Sequence, residues 1–486
     1  MRIVGVGAGL GGLAAGIRLQ AQGHHVTIVD KLDRPGGRAY VFEQDGFTFD
    51  AGPTIITAPW MLEELFAVAG RKLADYVDLV RLEPCYDIRF EDGRVFHYNG
   101  TDAALEGEVR RFEPADVAGY RRFAAASDEA FRRAMPLIDQ AFATASSMLR
   151  VVPDLVRVQA HRSVATIAER CFRNAQLRQV FSFHPLLIGG NPFTTPALYT
   201  LIHTLEKRWG VWFAKGGMGA LVAALARLFG ELGGELLLER EVAAINLDRT
   251  GRRATGVTLT TGGTIAADAV ACNADVAHAH TRLLPSNGTA GRVRRKQHSM
   301  SLFVLYFGTD RRYEHMAHHT ILMGARYRGL LEDVFSGGHL PDDFSLYLHR
   351  PTATDASLAP NGCDTWYVLA PVPNLAADID WEVEAPGYRD RIVRYLEDRY
   401  LPGLSRHIVT ERQIDPRYFR DRLNSHLGAA FSLQPLLTQS AWFRPHNASK
   451  DVRNLYFVGA GTHPGAGVPG VLSSGKIVAN LIALSS

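Results

Sequence analysis

The chain has 486 residues, of which 47% are hydrophobic and 21% are charged. Its 53 basic and 50 acidic side chains give a net charge of +3, which offers no support for a nucleic-acid partner. This composition is typical of a globular protein and excludes the collagen-like, coiled-coil and disordered classes. The length predicts about two to four domains.

The cysteines and the hydropathy indicate a reducing compartment without a membrane span. Cys85, Cys171, Cys272 and Cys363 are far apart and form no CxxC pair, which argues against disulfides and against a thiolate metal site. Glycines interrupt the apolar start of the chain, so we do not interpret it as a signal peptide. No stretch approaches the ~18 apolar residues of a spanning helix. We expect a cytoplasmic protein whose membrane contact, if any, is peripheral.

The first thirty residues predict a strand, a helix and a second strand around a glycine-rich turn. Residues 2–6 and 26–29 have the apolar character of buried strands, and Gly7, Gly9 and Gly12 between them fit G-x-G-x-x-G. The first glycine allows a tight turn, the second lets the backbone approach a pyrophosphate, and the third lets helix and strand pack closely. The N-terminus of the helix would then present free N–H groups to the phosphates.

An acidic residue ends the second predicted strand. Asp30 follows Gly12 at the usual interval of roughly 20 residues, where a carboxylate can accept hydrogen bonds from a ribose. Strand, helix, strand and acid together predict a dinucleotide site. They do not distinguish NAD from FAD.

The next segment favours FAD. Two glycines stand between two arginines, in the order Arg34, Gly36, Gly37 and Arg38, and a further glycine-containing stretch follows at 50–54. The guanidinium fork of arginine can bind phosphate oxygens in a bidentate manner. We therefore predict that this turn and both arginines lie beside the same pyrophosphate.

A second glycine-rich turn lies near the C-terminus. It follows a predicted strand at 455–458 and precedes a predicted helix that begins near Gly470, and five of the twelve residues 459–470 are glycine. Such a turn lets a flat ring approach the backbone, and the helix N-terminus would stabilise negative charge on a reduced flavin. The residues predicted to contact FAD here are Gly459, Gly461, Thr462, Gly467, Val468 and Gly470.

The chain resembles the bacterial carotenoid desaturases of the carotenoid/retinoid oxidoreductase family, and among them the phytoene desaturases of the lycopene-forming type. The resemblance runs almost end to end, and its matching stretches are 34–40, 46–54, 181–193, 301–308, 345–349 and 459–470. The N-terminal motif is shared with amine oxidases and many other flavoproteins. The middle and C-terminal stretches are far more specific.

The resemblance implies the fold class. We expect an α/β protein with a Rossmann-type FAD-binding domain of the amine-oxidase-like flavoprotein kind, a sheet-based substrate domain and a helical region. The FAD-binding domain is expected to be discontinuous, over residues 1–75, 208–278 and 436–486. The substrate domain would take 76–100 and 279–435, and the helical, membrane-contacting region 101–207.

The resemblance also implies the reaction, which is stepwise removal of hydrogens from the apolar C40 polyene 15-cis-phytoene to give lycopene or a less desaturated intermediate. The implied partners are a membrane surface and oxygen or a quinone as electron acceptor. Such a substrate requires a long apolar tunnel, because its binding depends on buried area at roughly 25 cal/mol per Å2. Candidates for the tunnel lining are Phe181, Phe183, Trp209, Trp212, Phe213 and Trp442.

Three alternatives stay open. The chain could be another carotenoid-branch desaturase of the dehydrosqualene or hydroxyneurosporene type. It could be a non-catalytic prenyl-chain carrier of the same fold, although the intact C-terminal glycine turn argues against this. A soluble amine oxidase would fit the N-terminal motif alone, but Gly461 stands where amine oxidases often carry an acid.

No catalytic arrangement is evident in the sequence, which shows neither a Ser/His/Asp set nor paired carboxylates. Loss of a proton beside a delocalised, cation-like carbon needs only a weak base, so we expect the protein mainly to position the substrate and exclude water. The resemblance implies that Arg150 lies near the active site, and we predict a catalytic or polar-anchor role for it. Relatives can carry an acid three positions earlier, where this chain has Ser147.

Two further segments need an interpretation. Residues 138–158 are rich in apolar side chains with Arg150 and Arg157 as positive charges, and we expect them to form a helix that contacts the membrane. Residues 315–319 contain three histidines without a carboxylate at a matching spacing, and the resemblance implies no metal. We therefore predict structural histidines there and no metal site. His463, inside the C-terminal turn, could contact the cofactor.

Overall fold

The computed structural model describes residues 1–142, 144–285 and 288–485. The strands are β1 Arg2–Val6, β2 His25–Val29, β3 Val41–Gln44, β4 Phe47–Asp50, β5 Leu79–Leu82, β6 Tyr86–Phe90, β7 Val95–Tyr98, β8 Val211–Ala214, β9 Glu235–Leu237, β10 Val242–Leu247, β11 Ala254–Leu259, β12 Thr264–Ala266, β13 Ala269–Cys272, β14 Ser301–Thr309, β15 His319–Met323, β16 Leu346–His349, β17 Asp364–Val372, β18 Ile408–Ile414 and β19 Leu455–Phe457. The helices are α1 Leu10–Ala21, α2 Pro59–Ala67, α3 Asp102–Phe112, α4 Val117–Ala134, α5 Ala145–Arg157, α6 Val164–Cys171, α7 Ala175–Val180, α8 Leu201–Trp209, α9 Gly217–Glu231, α10 Val276–His278, α11 Gly288–Arg294, α12 Tyr327–Glu332, α13 Trp381–Arg399, α14 Leu404–His407, α15 Pro416–Asp421 and α16 Val468–Ala483.

A five-stranded parallel sheet, in the order β19-β13-β1-β2-β9, carries the predicted nucleotide motif. Its strands come from three separate parts of the chain. They are short and largely apolar because both faces of the sheet are covered, one by α1, α9 and α16 and the other mainly by β10 and β11. The predictions of strands at 2–6, 26–29 and 455–458 are confirmed to within one residue at either end.

Helices α1 and α16 pack against each other beside this sheet, and glycine allows them to do so. A Cβ atom at Gly475 would lie 2.8 Å from the backbone nitrogen of Ala15, and one at Gly11 would lie 3.3 Å from the Cα atom of Gly459. The two helices that follow the two glycine-rich turns are therefore neighbours. The first and last parts of the chain are brought together in this way.

A seven-stranded sheet, in the order β18-β14-β17-β16-β15-β6-β7, forms the second layer. Strand β14, second from one edge of this sheet, is buried along all nine residues and pairs antiparallel with both β17 and β18. The predicted strands at 302–307 and 366–369 lie inside β14 and β17. Strands β6 and β7 join this sheet from much earlier in the chain, through the parallel pairing of β6 with β15.

The segment between β7 and β8 is mostly helical, as predicted, and contains α3 to α8. Residues 155–172 do not form one continuous helix, because α5 ends at Arg157 and α6 begins only at Val164. The hydroxyl of Ser163 accepts a hydrogen bond from the backbone N–H of Thr166 and so caps the new helix. The predicted helix over 138–158 begins only at Ala145, and residue 143 lies outside the described residues.

Within the described ranges, none of the helices combines the length and the apolar character needed to cross a bilayer.

Candidate active site

The carboxyl ends of four parallel strands meet at one edge of the five-stranded sheet. Gly7 follows β1, Asp30 follows β2, Asn273 follows β13 and Val458 follows β19, and all four residues line one cavity. The cavity has a volume of about 580 Å3. This edge of an open α/β sheet is where ligands bind, because the helix N-termini and the loops converge there.

The N-terminal glycines divide into two structural roles. Gly7, Gly9, Gly36 and Gly37 line the cavity. Gly12 does not, because a Cβ atom at this position would lie 2.1 Å from the carbonyl oxygen of Gly7. The third glycine of the motif thus serves helix–strand packing, as the motif requires, and we correct its predicted contact with FAD to an indirect one.

The N-terminus of α1 faces the cavity without a side-chain cap. Its N-cap residue is Gly9, and Leu10 and Gly11 line the cavity. The first N–H groups of a helix have no partner within the helix, and they attract anions. A diphosphate is the type of group that satisfies this position.

The carboxylate of Asp30 is fixed at the rim of the cavity. Its Oδ2 accepts a hydrogen bond from the N–H of Ala8 at 2.6 Å, and its Oδ1 accepts one from the N–H of Leu32 at 2.8 Å. Burial raises the pKa of Asp30, while these two backbone donors oppose the shift. Each oxygen keeps acceptor capacity, so the predicted ribose contact stays a prediction that this geometry allows.

The two arginines of the second turn separate. Arg38 lines the cavity, and its Nε donates to the carbonyl of Ala430 at 2.8 Å. Arg34 does not line it, and its guanidinium lies 3.4 Å from the Glu43 carboxylate near the surface. Gly36 and Gly37 adopt positive φ values of 125° and 57°, which turns the chain between the two arginines. The contact of Arg38 with a pyrophosphate stays a prediction that its position on the cavity allows, whereas the position of Arg34 gives no support to the same contact.

The C-terminal turn supplies a second uncapped helix N-terminus. The N-cap residue of α16 is Gly467, with a φ of 97°, and it has no side-chain capping bond. The residues of this turn that line the cavity include the predicted Gly459, Gly461, Gly467, Val468 and Gly470. Thr462 does not line it, because its buried hydroxyl donates to the Gly459 carbonyl at 3.1 Å inside the turn. Its predicted contact with the cofactor is corrected to a structural one.

His463 of the same turn lines the cavity as a neutral imidazole. Its Nε2 lies 3.3 Å from the carbonyl oxygen of Leu137, while its buried Nδ1 has no hydrogen-bond partner. Burial lowers the pKa of His463 to about 4. The ring therefore adds no positive charge to the site near neutral pH.

Sequence reasoning missed two residues that hold the C-terminal turn in place. The buried guanidinium of Arg444 donates to the carbonyls of Ala460 at 2.6 Å and Thr462 at 3.0 Å. The side-chain amide of Asn447 donates to the His463 carbonyl at 2.9 Å. Both residues precede β19 in a segment without helical or strand periodicity, so no sequence signal indicated them.

Asn273 was also missed, although it lies between the two glycine turns. A Cβ atom at Gly9 would be 2.9 Å from its Nδ2, and one at Gly459 would be 2.6 Å from its Oδ1. The Nδ2 group donates to the Gly7 carbonyl at 3.3 Å. Its place directly after a predicted strand of the parallel sheet was the available signal, since such positions face the ligand edge.

The apolar part of the remaining lining comes mainly from the seven-stranded sheet and the helical region. It includes Met148, Val151, Leu155, Phe183, Leu187, Leu198, Ile202, Met300, Leu302, Ile321, Met323, Tyr327, Leu331, Tyr347, Leu369 and Phe431. Of the six aromatic candidates, Phe183 is on this lining. Trp209 instead packs on Trp60, with ring centroids 6.2 Å apart. One cavity thus joins the glycine-lined edge to an extended apolar wall.

Arg150 lies on the opposite side of α5 from this wall. Met148, Val151 and Leu155 of α5 face the cavity, whereas Arg150 is exposed and is not part of the lining. The structure thus shows no cavity position for Arg150, and its catalytic or polar-anchor role stays a prediction.

The residues at the sheet edge fit FAD. Two uncapped helix N-termini, the Arg38 guanidinium and the Asp30 carboxylate converge on glycine backbone that a Cβ atom would obstruct. The α1 N-terminus and Arg38 would hold the diphosphate, Asp30 the adenosine ribose and the α16 N-terminus the flavin ring. The structure supports this assignment by placing all four groups on one cavity.

Comparison with known proteins agrees with this fit. The family described as flavin containing amine oxidoreductase matches residues 10–483. A lycopene-forming phytoene desaturase of Pantoea ananas is 50% identical over 483 residues, covering 98% of each chain. A neurosporene-forming phytoene desaturase of Rhodobacter capsulatus is 45% identical, covering 99% of this chain and 94% of the relative. A crystal structure of putrescine oxidase with bound putrescine superposes with a TM-score of 0.65 at 16% identity, covering 100% of this chain and 99% of that one.

The match to the family extends over nearly the whole chain, and it includes the C-terminal glycine-rich turn and the end of the N-terminal one from Leu10. The structural likeness at low identity supports the fold by itself, whereas the relatives at 45% and 50% identity define the branch. The chain therefore belongs to the flavin-containing amine oxidoreductase family and is an FAD-dependent oxidoreductase of the phytoene desaturase branch.

Proposed function

We propose that the chain is a phytoene desaturase, which removes hydrogens stepwise from 15-cis-phytoene to give lycopene or a less desaturated carotene. The observation that carries this proposal is the single cavity that joins the FAD-fitting edge to a long apolar wall. The names of the relatives at 45% and 50% identity support the same substrate. Since one relative is lycopene-forming and the other neurosporene-forming, the number of steps needs measurement.

The side chains around the cavity indicate that the protein mainly positions the substrate. When bound, FAD supplies the acceptor for the hydride that leaves a substrate carbon. The wall residues hold a hydrocarbon chain by burying its surface, and they keep water away from the reacting carbons. On this wall the Tyr347 hydroxyl lies 2.6 Å from the Thr54 hydroxyl, so a substrate without polar groups leaves this hydroxyl with a hydrogen-bond partner.

The direct test is reconstitution of the purified chain with FAD, liposomes and 15-cis-phytoene. We expect coloured products whose absorption spectra show the extended conjugation of neurosporene or lycopene. Parallel reactions with oxygen alone and with an added quinone would identify the acceptor, for which we propose one of these two. Unchanged phytoene under both conditions, with FAD bound, would contradict the proposed function.

We further propose that α5 rests in a membrane surface. Leu149, Val152 and Val156 form an apolar stripe on this helix, and their exposed fractions are 70%, 41% and 66%. The opposite face of the same helix lines the cavity. Exposed apolar side chains at helical spacing, next to Arg150 and Arg157, are typical of a helix that lies in a bilayer interface. A hydrocarbon substrate dissolved in the membrane would then be one helix away from the cavity.

A negative charge introduced into this stripe should weaken membrane binding. We expect Val156→Asp to lower co-sedimentation with anionic liposomes about tenfold, since a buried apolar contact becomes a charge in the interface. Val383→Asp is the matched control, because Val383 is 68% exposed on α13, away from the cavity lining. Equal liposome binding by both variants would contradict the placement of α5.

We also propose the expected division of the chain, with residues 1–75, 208–278 and 436–486 forming the FAD-binding unit. The five strands of the parallel sheet support this division, because they all fall within these three ranges. Residues 76–100 and 279–435 would form the substrate unit, and 101–207 the helical, membrane-contacting unit.

A further inference from the structure

Three buried histidines form a cluster outside the cavity. His319 begins β15 and pairs in register with His349 at the end of β16, so both side chains lie on one face of the seven-stranded sheet. His318 lies in a bend just before β15, and its ring packs edge-to-face against the His319 ring. All three are at most 7% exposed. The pairing of β15 with β16 supplies His349, which the sequence segment 315–319 could not indicate.

The ring nitrogens have the spacing of metal ligands. The Nε2 atoms of His318 and His349 are 3.1 Å apart and share a hydrogen bond, which a bound ion would replace, and one nitrogen of each of the three rings lies within 4.8 Å of one nitrogen of each other ring. Metal–nitrogen bonds of about 2.0–2.1 Å place ligand nitrogens roughly 3.3–3.6 Å apart. One pair is already near this separation, and His319 needs only a small ring movement to reach it.

The outer hydrogen bonds orient two rings toward a common point. The Nδ1 of His318 lies 2.7 Å from the hydroxyl of Thr354, and the Nδ1 of His319 lies 2.7 Å from the hydroxyl of Tyr347. The hydroxyls of Thr354 and Tyr347 can each accept a hydrogen bond from the ring beside them. In the tautomer with the proton on both Nδ1 atoms, both Nε2 atoms present a lone pair. This is the arrangement that metal-binding histidines show.

A buried nitrogen without a partner is the independent sign of a missing ligand. The Nε2 of His319 is buried and accepts no hydrogen bond. Neutral imidazoles are the form that binds metal ions.

The residues around the three histidines determine which charge of the bound ion is favoured. Within the described part of the chain, the cluster consists of histidines alone, without a carboxylate or thiolate ligand. The ring of Phe213 covers His318 at 4.6 Å between centroids. Neutral ligands near the buried Arg350 guanidinium favour the ion with the smallest charge, since both the cost of burial and the repulsion by Arg350 rise with the charge of the ion. Imidazole suits both copper and zinc.

We propose that His318, His319 and His349 form a buried structural metal site that takes copper(I) in preference to zinc(II). The ion would fix the His319 ring and, through it, the Tyr347 hydroxyl on the cavity wall. The site is distinct from the FAD-fitting edge, and it does not depend on the proposed substrate.

The test is anaerobic titration of the full-length, FAD-loaded protein with Cu+ in ascorbate, in competition with a coloured Cu+ chelator. We expect one Cu+ per chain, and we expect His319→Gln to weaken its binding at least about a hundredfold. The matched control is His315→Gln, because His315 belongs to the same segment but is exposed and binds the Tyr400 carbonyl. That variant should keep wild-type affinity.

A wild-type measurement keeps the proposal testable if His319→Gln does not fold. X-ray absorption of the copper-loaded protein should show nitrogen ligands of imidazole type and no sulfur. The proposal is overturned if the wild type withdraws no Cu+ from the chelator, if the copper has sulfur ligands, or if a folded His319→Gln binds as tightly as the wild type. Tighter binding of Zn2+ than of Cu+ would overturn the charge argument.

Discussion

Gly9→Val is expected to yield a folded protein that purifies with little or no FAD. A Cβ atom at Gly9 would lie 2.9 Å from the Nδ2 of Asn273, and the further methyl groups would fill the space in front of the α1 N-terminus. The backbone of α1 could no longer approach a diphosphate, so the helix would lose the interaction that its free N–H groups provide. We expect FAD affinity to fall at least about a hundredfold, a loss of roughly 3 kcal/mol.

The measurement is the ratio of FAD absorbance to protein absorbance after purification, followed by titration of the FAD-free protein with FAD. Gly107→Val is the matched control, because Gly107 lies on exposed helix α3 with no atom within 4 Å of an added Cβ. It should bind FAD like the wild type. Normal FAD content in Gly9→Val, with the helix content unchanged by circular dichroism, would show that the cofactor does not lie against this turn.

Arg444→Met is expected to destabilise the C-terminal turn and with it the whole fold. The Arg444 side chain is 2% exposed and donates to the four carbonyls of Ala460, Thr462, Leu433 and Gln439. Methionine fills part of the volume but donates no hydrogen bond. Each buried carbonyl without a partner costs about 1–3 kcal/mol, and we expect a total loss of at least about 3 kcal/mol. FAD should also dissociate more readily, since Ala460 lines the cavity.

Thermal unfolding followed by tryptophan and by flavin fluorescence would record both effects. The matched control is Arg34→Met, because Arg34 makes an exposed pairing with Glu43 and does not line the cavity. Its effect should stay within about 0.5 kcal/mol, with unchanged FAD content. Arg444→Lys should be intermediate, since one ammonium group cannot reach as many carbonyls as the guanidinium fork. A larger effect for Arg34→Met than for Arg444→Met would reverse our assignment of the two arginines.

The predictions that were confirmed rest on local patterns. The strand, the glycine motif, the helix and the second strand of the first thirty residues interact with each other over short distances, so the sequence determines their order directly. The C-terminal turn carries its own signal, because five glycines before an apolar helix permit little else. The sequence could thus predict two halves of one FAD site, and the resemblance to carotenoid desaturases predicted the branch.

The sequence could not predict the direction in which single side chains point relative to the cavity. Arg34 and Arg38 stand four residues apart in a turn, and only the positive φ values of Gly36 and Gly37 decide which guanidinium faces the cavity. Arg150 depends in the same way on how α5 is rotated, since a step of one residue along a helix moves a side chain about 100° around its axis. Periodicity shows that a helix has two faces, but packing decides which face is inside.

The amino-acid sequence by itself determined the α/β class, the dinucleotide motif, the second flavin turn and the apolar character of the substrate region. Tertiary structure alone decided what meets across long separations, as Asn273 between the two turns, Arg444 behind the C-terminal turn and His349 beside His318 and His319 all show. The physical reason is that hydrogen bonds and sheet register between distant segments follow from the packed chain as a whole. No local pattern records which partner a buried donor will find.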